Sequence, residues 1–176
     1  MHRVFSIIFI SSLTLINSAT WQVNSNYKID YEISGSKLNL VFTLLNGKTG
    51  WMGLCFNEFM YPSDCIVCQY NNNRGECFDS YNPGVTGSSY YPAPIIDTYS
   101  SASGAALAVM GNHGVDNLQN VVGTKANNQI IISVSRNLAT GDKYDFEIVP
   151  GNQIKMVAAQ QDSVLWNAAG GSTQTK

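Results

Sequence analysis

Charge is scarce in this chain. Of 176 residues, 10 are Lys or Arg and 12 are Asp or Glu, and the cations form no cluster. Nucleic-acid binding needs grouped cations against phosphates, so that class is set aside. Histidine is scarcer: His2 and His113 are the only two. There is no HxxxH pair, no glycine-rich phosphate loop and no His beside a Ser or Cys nucleophile. Catalysis by the chain itself is therefore not expected, nor is a resident metal site. Long apolar runs are also missing, apart from Val4 to Ile16. That run follows the basic start Met1-His2-Arg3 and precedes the small residues Asn17-Ser18-Ala19. This is the layout of a secretory signal peptide over residues 1–19, too short for a comfortable span. No second segment approaches the roughly 20 apolar residues a transmembrane helix needs. No Asn-x-Ser/Thr acceptor occurs, so N-glycosylation is not expected.

What remains reads as one secreted domain over residues 20–176. The four cysteines of an exported chain imply two disulfides. Tyr27 to Ile33 alternates large apolar with charged residues, which is a half-buried strand. Leu38 to Leu44 returns from the Ser34-Gly35-Ser36 turn, and Trp51 to Phe56 follows the Asn46-Gly47 turn. Asp64 to Tyr70 and Glu76 to Tyr81 flank an Asn-rich turn. With Cys68 set opposite Cys77, Cys65 points to the other face and meets Cys55 on the neighbouring strand. The expected pairs are thus Cys68–Cys77 and Cys55–Cys65. Residues 83 to about 119 form one long loop, rich in Gly, Ser, Ala and Pro; a loop of that length is commonly functional. Ile130 to Arg136, Tyr144 to Ile148 and Ile154 to Gln160 read as further strands. About eight strands without an amphipathic helix give an all-β class, an antiparallel β-sandwich with one long loop.

Cys65-x-x-Cys68 invites a redox or zinc reading, but its flanks are strands rather than a strand and helix start, and structural disulfides are the stronger reading. Asp64, Asp79, Asp97 and Asp142 could contact calcium or a glycan; single Asp residues at strand ends more often accept turn amides. Tyr27, Tyr31, Phe42, Trp51, Phe56, Phe146 and Trp166 lie on core-facing phases. Tyr90 and Tyr91, beside the proline-rich loop, could stack on a sugar ring.

Gly50-Trp51-x-Gly53-Leu54-x-Phe56 is followed by Met60, Asp64 and Val67, then by Asp79-x-Tyr81, Pro94 and Asp97. Arg136-x-Leu138-x-Thr140-Gly141-Asp142 and the Ile154 to Ala159 strand complete the set. In order and spacing this resembles the DOMON domain family, which includes the N-terminal module of dopamine β-monooxygenase and several b-type cytochrome domains. The resemblance covers roughly residues 25–170 and implies an immunoglobulin-like sandwich. Family members differ in use, so fold alone does not give function. Met60 matches the haem-ligating Met of the cytochrome members, which makes haem b the implied cofactor. The family's second ligand, a His near the domain's end, falls where this chain reads Asp162-Ser163-Val164-Leu165-Trp166-Asn167-Ala168. His113 in the long loop is the remaining candidate, and Trp166 could occupy porphyrin space. The reading is a secreted, non-enzymatic ligand-binding module. Its expected ligand is a glycan or haem, in a pocket between the Met60 loop, the Tyr90–Tyr91 loop and Trp166. The alternatives are a small b-type cytochrome passing electrons to a redox partner protein, and a structural protein of a cell coat or secretory granule.

Overall fold

The computed structural model describes the backbone of residues 6–14, 18–59, 62–82, 85–86, 89–90, 95–96, 114–167 and 171–174, and the side chains of residues 18–59, 62–82 and 114–166. The strands are β1 (Ser6–Thr14), β2 (Ser18–Asn24), β3 (Tyr27–Ser34), β4 (Lys37–Leu44), β5 (Trp51–Cys55), β6 (Ser63–Asn71), β7 (Arg74–Asn82) and β8 (Val85–Thr86). They continue with β9 (Ser89–Tyr90), β10 (Ile95–Ile96), β11 (Gln119–Ala126), β12 (Gln129–Asn137), β13 (Gln153–Gln161), β14 (Val164–Asn167) and β15 (Gly171–Gln174). No helix occurs among the described residues, and none there is long and apolar enough to cross a membrane.

Two antiparallel sheets pack face to face. One has the order β1-β13-β5-β6-β7-β10 and the other β11-β12-β4-β3-β2. Alternation explains the packing. Tyr27, Ile29 and Tyr31 of β3 and Leu38, Leu40, Phe42 and Leu44 of β4 turn inward, while Lys28, Asp30, Asn39 and Val41 between them are only half-buried. Opposite them stand Met52 and Leu54 of β5, Ile66 and Cys68 of β6, and Ile154, Met156 and Ala158 of β13. The Tyr27 hydroxyl, buried with its ring, donates across the sandwich to the Gly53 carbonyl at 3.2 Å.

The hairpin turns follow local chemistry. Asn72 and Asn73 join β6 to β7, and Asn127 and Asn128 join β11 to β12; all four have positive φ, between 49° and 62°. Two-residue hairpins with right-handed strand twist need positive φ at both positions, and Asn tolerates it. Cys55 lies opposite Cys65 and Cys68 opposite Cys77 in the ladders, and both pairs are disulfide-bonded. Cys68 faces the core and Cys55–Cys65 the outer face, as the odd spacing from Cys65 to Cys68 requires.

Two readings need correction. Tyr144 to Ile148 is not a strand: residues 138–152 form an irregular connection between β12 and β13. Phe146 accordingly is not a core residue; it is 39% exposed. The backbone of residues 6–14, inside the expected leader, lies along β13 as an edge strand.

The sheets converge where β7 meets β11. A Cβ at Gly123 would stand 2.4 Å from the Gly75 Cα. Gly123→Ala should lower the unfolding free energy by about 1–3 kcal/mol, the usual range for overpacking. A urea midpoint that falls with unchanged slope is the expected result; an unchanged midpoint would mean the strands can separate at this corner freely.

Strand directions place the β5–β6 connection, residues 114–118 leading into β11, and the β12–β13 connection at one end of the sandwich, hereafter the loop end. The opposite end carries the β4–β5 connection and the 162–163 turn, pinned by Lys48–Asp162 at 2.9 Å.

Candidate functional site

The loop end is built on a buried arginine. β12 sends Ile130, Ile132 and Val134 into the core, and the next residue in that phase is Arg136, fully buried. β6 does the same with Asp64 in phase with Ile66 and Cys68, and β7 with Asp79 in phase with Cys77. Arg136 Nη1 donates to Asp64 Oδ2 at 2.6 Å, and Nη2 donates to the Phe146 carbonyl at 2.6 Å. The Phe146 amide donates to the same Asp64 oxygen at 2.7 Å. The guanidinium carbon lies 5.0 Å from the Phe56 ring centroid, and the Phe56 and Phe146 rings stack at 6.3 Å. One side chain thus ties both sheets to the β12–β13 connection.

Two more carboxylates join it. The Asn117 amide donates to Asp79 Oδ2 at 2.7 Å, which anchors the segment entering β11. Asp145 Oδ1 stands 4.0 Å from Arg136 Nη1. Carboxylate oxygens of Asp64, Asp79 and Asp145 lie within 4.8 Å of one another. Asp142, at the 140–142 turn, accepts from the Val115 amide at 2.5 Å and the Tyr144 amide at 3.0 Å, so it acts as a turn acceptor.

Crowding buried acids shifts their titration. Burial pushes Asp79 up to about 7, with Asp145 and Asp64 adding to it and the Asn117 amide and Arg136 opposing. Burial pushes Asp64 up to about 6 despite Arg136 and the Phe146 amide. Asp145 is raised by burial as well. Burial alone would depress Arg136, but Asp64 and Asp145 outweigh it and raise it, so the guanidinium stays charged.

The other expected site residues are distributed as follows. Met60, His113 and Tyr91 lie outside the described residues, and Tyr90 is placed in β9 without a described side chain. Asp97 also lies outside them. Trp166 is buried on the outer face of the six-stranded sheet, with Trp51, Val67 and Ala159, and its ring meets Phe78 at 5.0 Å. Its amide donates to Gln69 Oε1 at 2.8 Å. Gln69 pairs with Trp51 at the far end of β5, so Trp166 sits away from the β5–β6 connection.

Haem fits poorly among the described residues. The apolar gap between the sheets, lined by Trp21, Tyr31, Leu54, Phe56 and Met156, holds about 10 Å³, the space of one water and far less than a porphyrin. The described residues include no His, and Met52 and Met156 are core side chains.

The DOMON domain family model matches residues 23–161, most of the chain and the whole two-sheet framework from β3 to β13. The chain belongs to the DOMON domain family. No curated protein and no solved structure matched it. In this DOMON domain, two of the resembling positions, Arg136 and Asp64, clamp the loop end. Sequence reasoning passed over Arg136 as a site residue and omitted Asp145. The signal for Arg136 was its position on the apolar phase of Ile130-Ile132-Val134, where an unpaired cation is not tolerated.

Proposed function

We propose that the chain is a secreted, non-enzymatic ligand-binding module that takes its ligand at the loop end. One observation carries this reading. Of the six exposed large apolar side chains among the described residues, four (Phe59, Val115, Phe146 and Val149) lie on the loop-end connections. Apolar side chains gathered on connections that a buried ion pair holds in place are what a preformed recognition surface needs. Phe59 and Phe146 offer flat faces to the C–H face of a sugar or to a porphyrin. The two disulfides and the family support an extracellular setting.

A glycan panel probed with the oxidised protein tests the first ligand class. Binding should weaken at least about tenfold in Phe59→Ala, a substitution at an exposed position that leaves the fold alone. Equal binding by Phe59→Ala and Phe146→Ala would move the ligand off this end.

The b-type cytochrome is the second reading. It is favoured by the chain bordering Met60 (57–59 and 62) and that bordering His113 (114–118), which lie at the same end. Among the described residues the interior gap admits no porphyrin, so this reading places the haem against the loop end. Hemin titration decides it. A Soret shift at stoichiometric hemin, with a sharp reduced band lost in Met60→Ala, is the expected result for a cytochrome. No Soret shift leaves the glycan reading.

A further inference from the structure

Asp64 and Asp79 are each held at one carboxylate oxygen and unpartnered at the other. Asp64 Oδ2 and Asp79 Oδ2 are taken by Arg136, the Phe146 amide and the Asn117 amide. Asp64 Oδ1 and Asp79 Oδ1 are buried without a hydrogen-bond partner. Neither oxygen of Asp145 has a partner at hydrogen-bond geometry, although the Thr140 and Asn117 side chains stand close enough to offset part of its burial. Asp64 and Asp79 are 4% and 1% exposed, and the Asp145 side chain 1%. Burying an acceptor without a partner costs roughly 1–3 kcal/mol, and a charged one more. Charge makes the deficit specific: once all three carboxylates are ionised they face one guanidinium, and two negative charges are left uncompensated.

We propose that Asp64, Asp79 and Asp145 bind one divalent cation of the calcium class. The geometry suits it. Calcium takes oxygen ligands at about 2.3–2.6 Å, so oxygens around one ion stand up to roughly 5 Å apart, and those of this group lie within 4.8 Å. Among the described residues the donors are hard oxygens with no Cys thiolate or His beside them, which disfavours zinc and copper. Three carboxylates converging from two strands and an irregular connection suit calcium's flexible coordination better than magnesium's rigid octahedron. The doubly positive ion offsets the two excess charges. A bridging water would satisfy the oxygens and leave those charges in place.

The cation does more than fill the space. Asp64 is on β6, Asp79 on β7 and Asp145 on the β12–β13 connection, while Asp79 also holds the Asn117 amide. One ion therefore fastens the 114–118 segment and residues 138–148 to the six-stranded sheet. It is an ordering device for the loop end, whichever ligand that end takes.

The oxidised protein, stripped with a chelator, is titrated with CaCl2 at pH 7.5 while its melting temperature is followed. Tb³⁺ is titrated in parallel. Tyr81, opposite Asp64 in the ladder, and Tyr144, beside Asp145, are 5.1 Å apart and positioned to sensitise its luminescence. The melting temperature should rise with calcium, as binding to the folded state requires, with a Kd in roughly the 10⁻⁴–10⁻³ M range of extracellular modules. Magnesium at the same concentration should do less. Asp79→Asn and Asp145→Asn, which keep shape and remove charge, should each weaken binding at least about tenfold. No shift of the wild type by about 10 mM calcium, above that range, together with no Tb³⁺ luminescence, overturns the proposal without reference to any variant. Undiminished calcium affinity in both Asn variants overturns it equally, by placing the ion elsewhere.

Discussion

Arg136→Met lowers the unfolding free energy at pH 7.5 by about 3–5 kcal/mol, the range for removing one partner of a buried ion pair. That is a large share of the roughly 5–15 kcal/mol a domain of this kind holds. Methionine fills most of the stem's volume, so the loss is electrostatic rather than a cavity. Asp64 keeps the Phe146 amide but loses the guanidinium at 2.6 Å, and the Phe146 carbonyl loses its donor. Urea unfolding of the oxidised protein measures it. The deficit should shrink at pH 5, where Asp64 and Asp79 take up protons and need less compensation. A deficit of the same size at both pH values would mean that packing on Phe56, not charge, is what Arg136 supplies.

In cation-free buffer the protein loses on the order of a few kcal/mol of stability as pH rises from about 4 to 7. The sign follows from the direction of the shifts. Asp64 and Asp79 ionise at about 6 and about 7 in the folded state, against 3.8 for the free side chain. Between those values the folded protein binds more protons than the unfolded chain, so stability is present below the unfolded pKa and is lost as pH climbs through the folded ones. Asp145, raised by burial, acts in the same sense. Asp30 and Asp162 are depressed by Lys28 with Thr20 and by Lys48 with the Thr49 amide, against burial. Their contribution fades only as pH falls below the ordinary carboxylate range, outside this window. Urea midpoints at pH 4.5, 6 and 7.5 with chelator check the slope, and Asp79→Asn should flatten it. A midpoint higher at 7.5 than at 4.5 would show that the carboxylates are satisfied as anions without a cation.

Much of the framework was legible because strands write their burial into a period of two. Tyr27-Ile29-Tyr31 and Leu38-Leu40-Phe42-Leu44 could face one core only as paired strands, and parity alone separated Cys65 from Cys68. The same rule misled at Tyr144 to Ile148. Alternation reports which side chains are apolar; a strand also needs a neighbour to complete its ladder. Here the Phe146 amide goes to the Asp64 side chain and the Ile148 amide to the Leu138 carbonyl at 2.8 Å. No continuous ladder is left, and Phe146 turns outward over Phe56. Asp145 was invisible for that reason: an irregular connection carries it to the site, and no period marks it.

The sequence by itself determined an all-β chain with strands at readable phases, two cross-strand disulfides and a charged residue on the apolar phase of three strands. Local sterics and the parity of side chains suffice for each. Tertiary structure alone decided that those charges meet. Arg136 and Asp64 are 72 residues apart and belong to opposite sheets. Only the closing of the sandwich brings them to 2.6 Å, sets Asp79 and Asp145 beside them, and leaves an oxygen each of Asp64 and Asp79 buried without a donor. A strand's pattern specifies the direction of its side chains, not their partners across the core. The excess negative charge at the loop end, and with it the case for a cation there, arises from that packing.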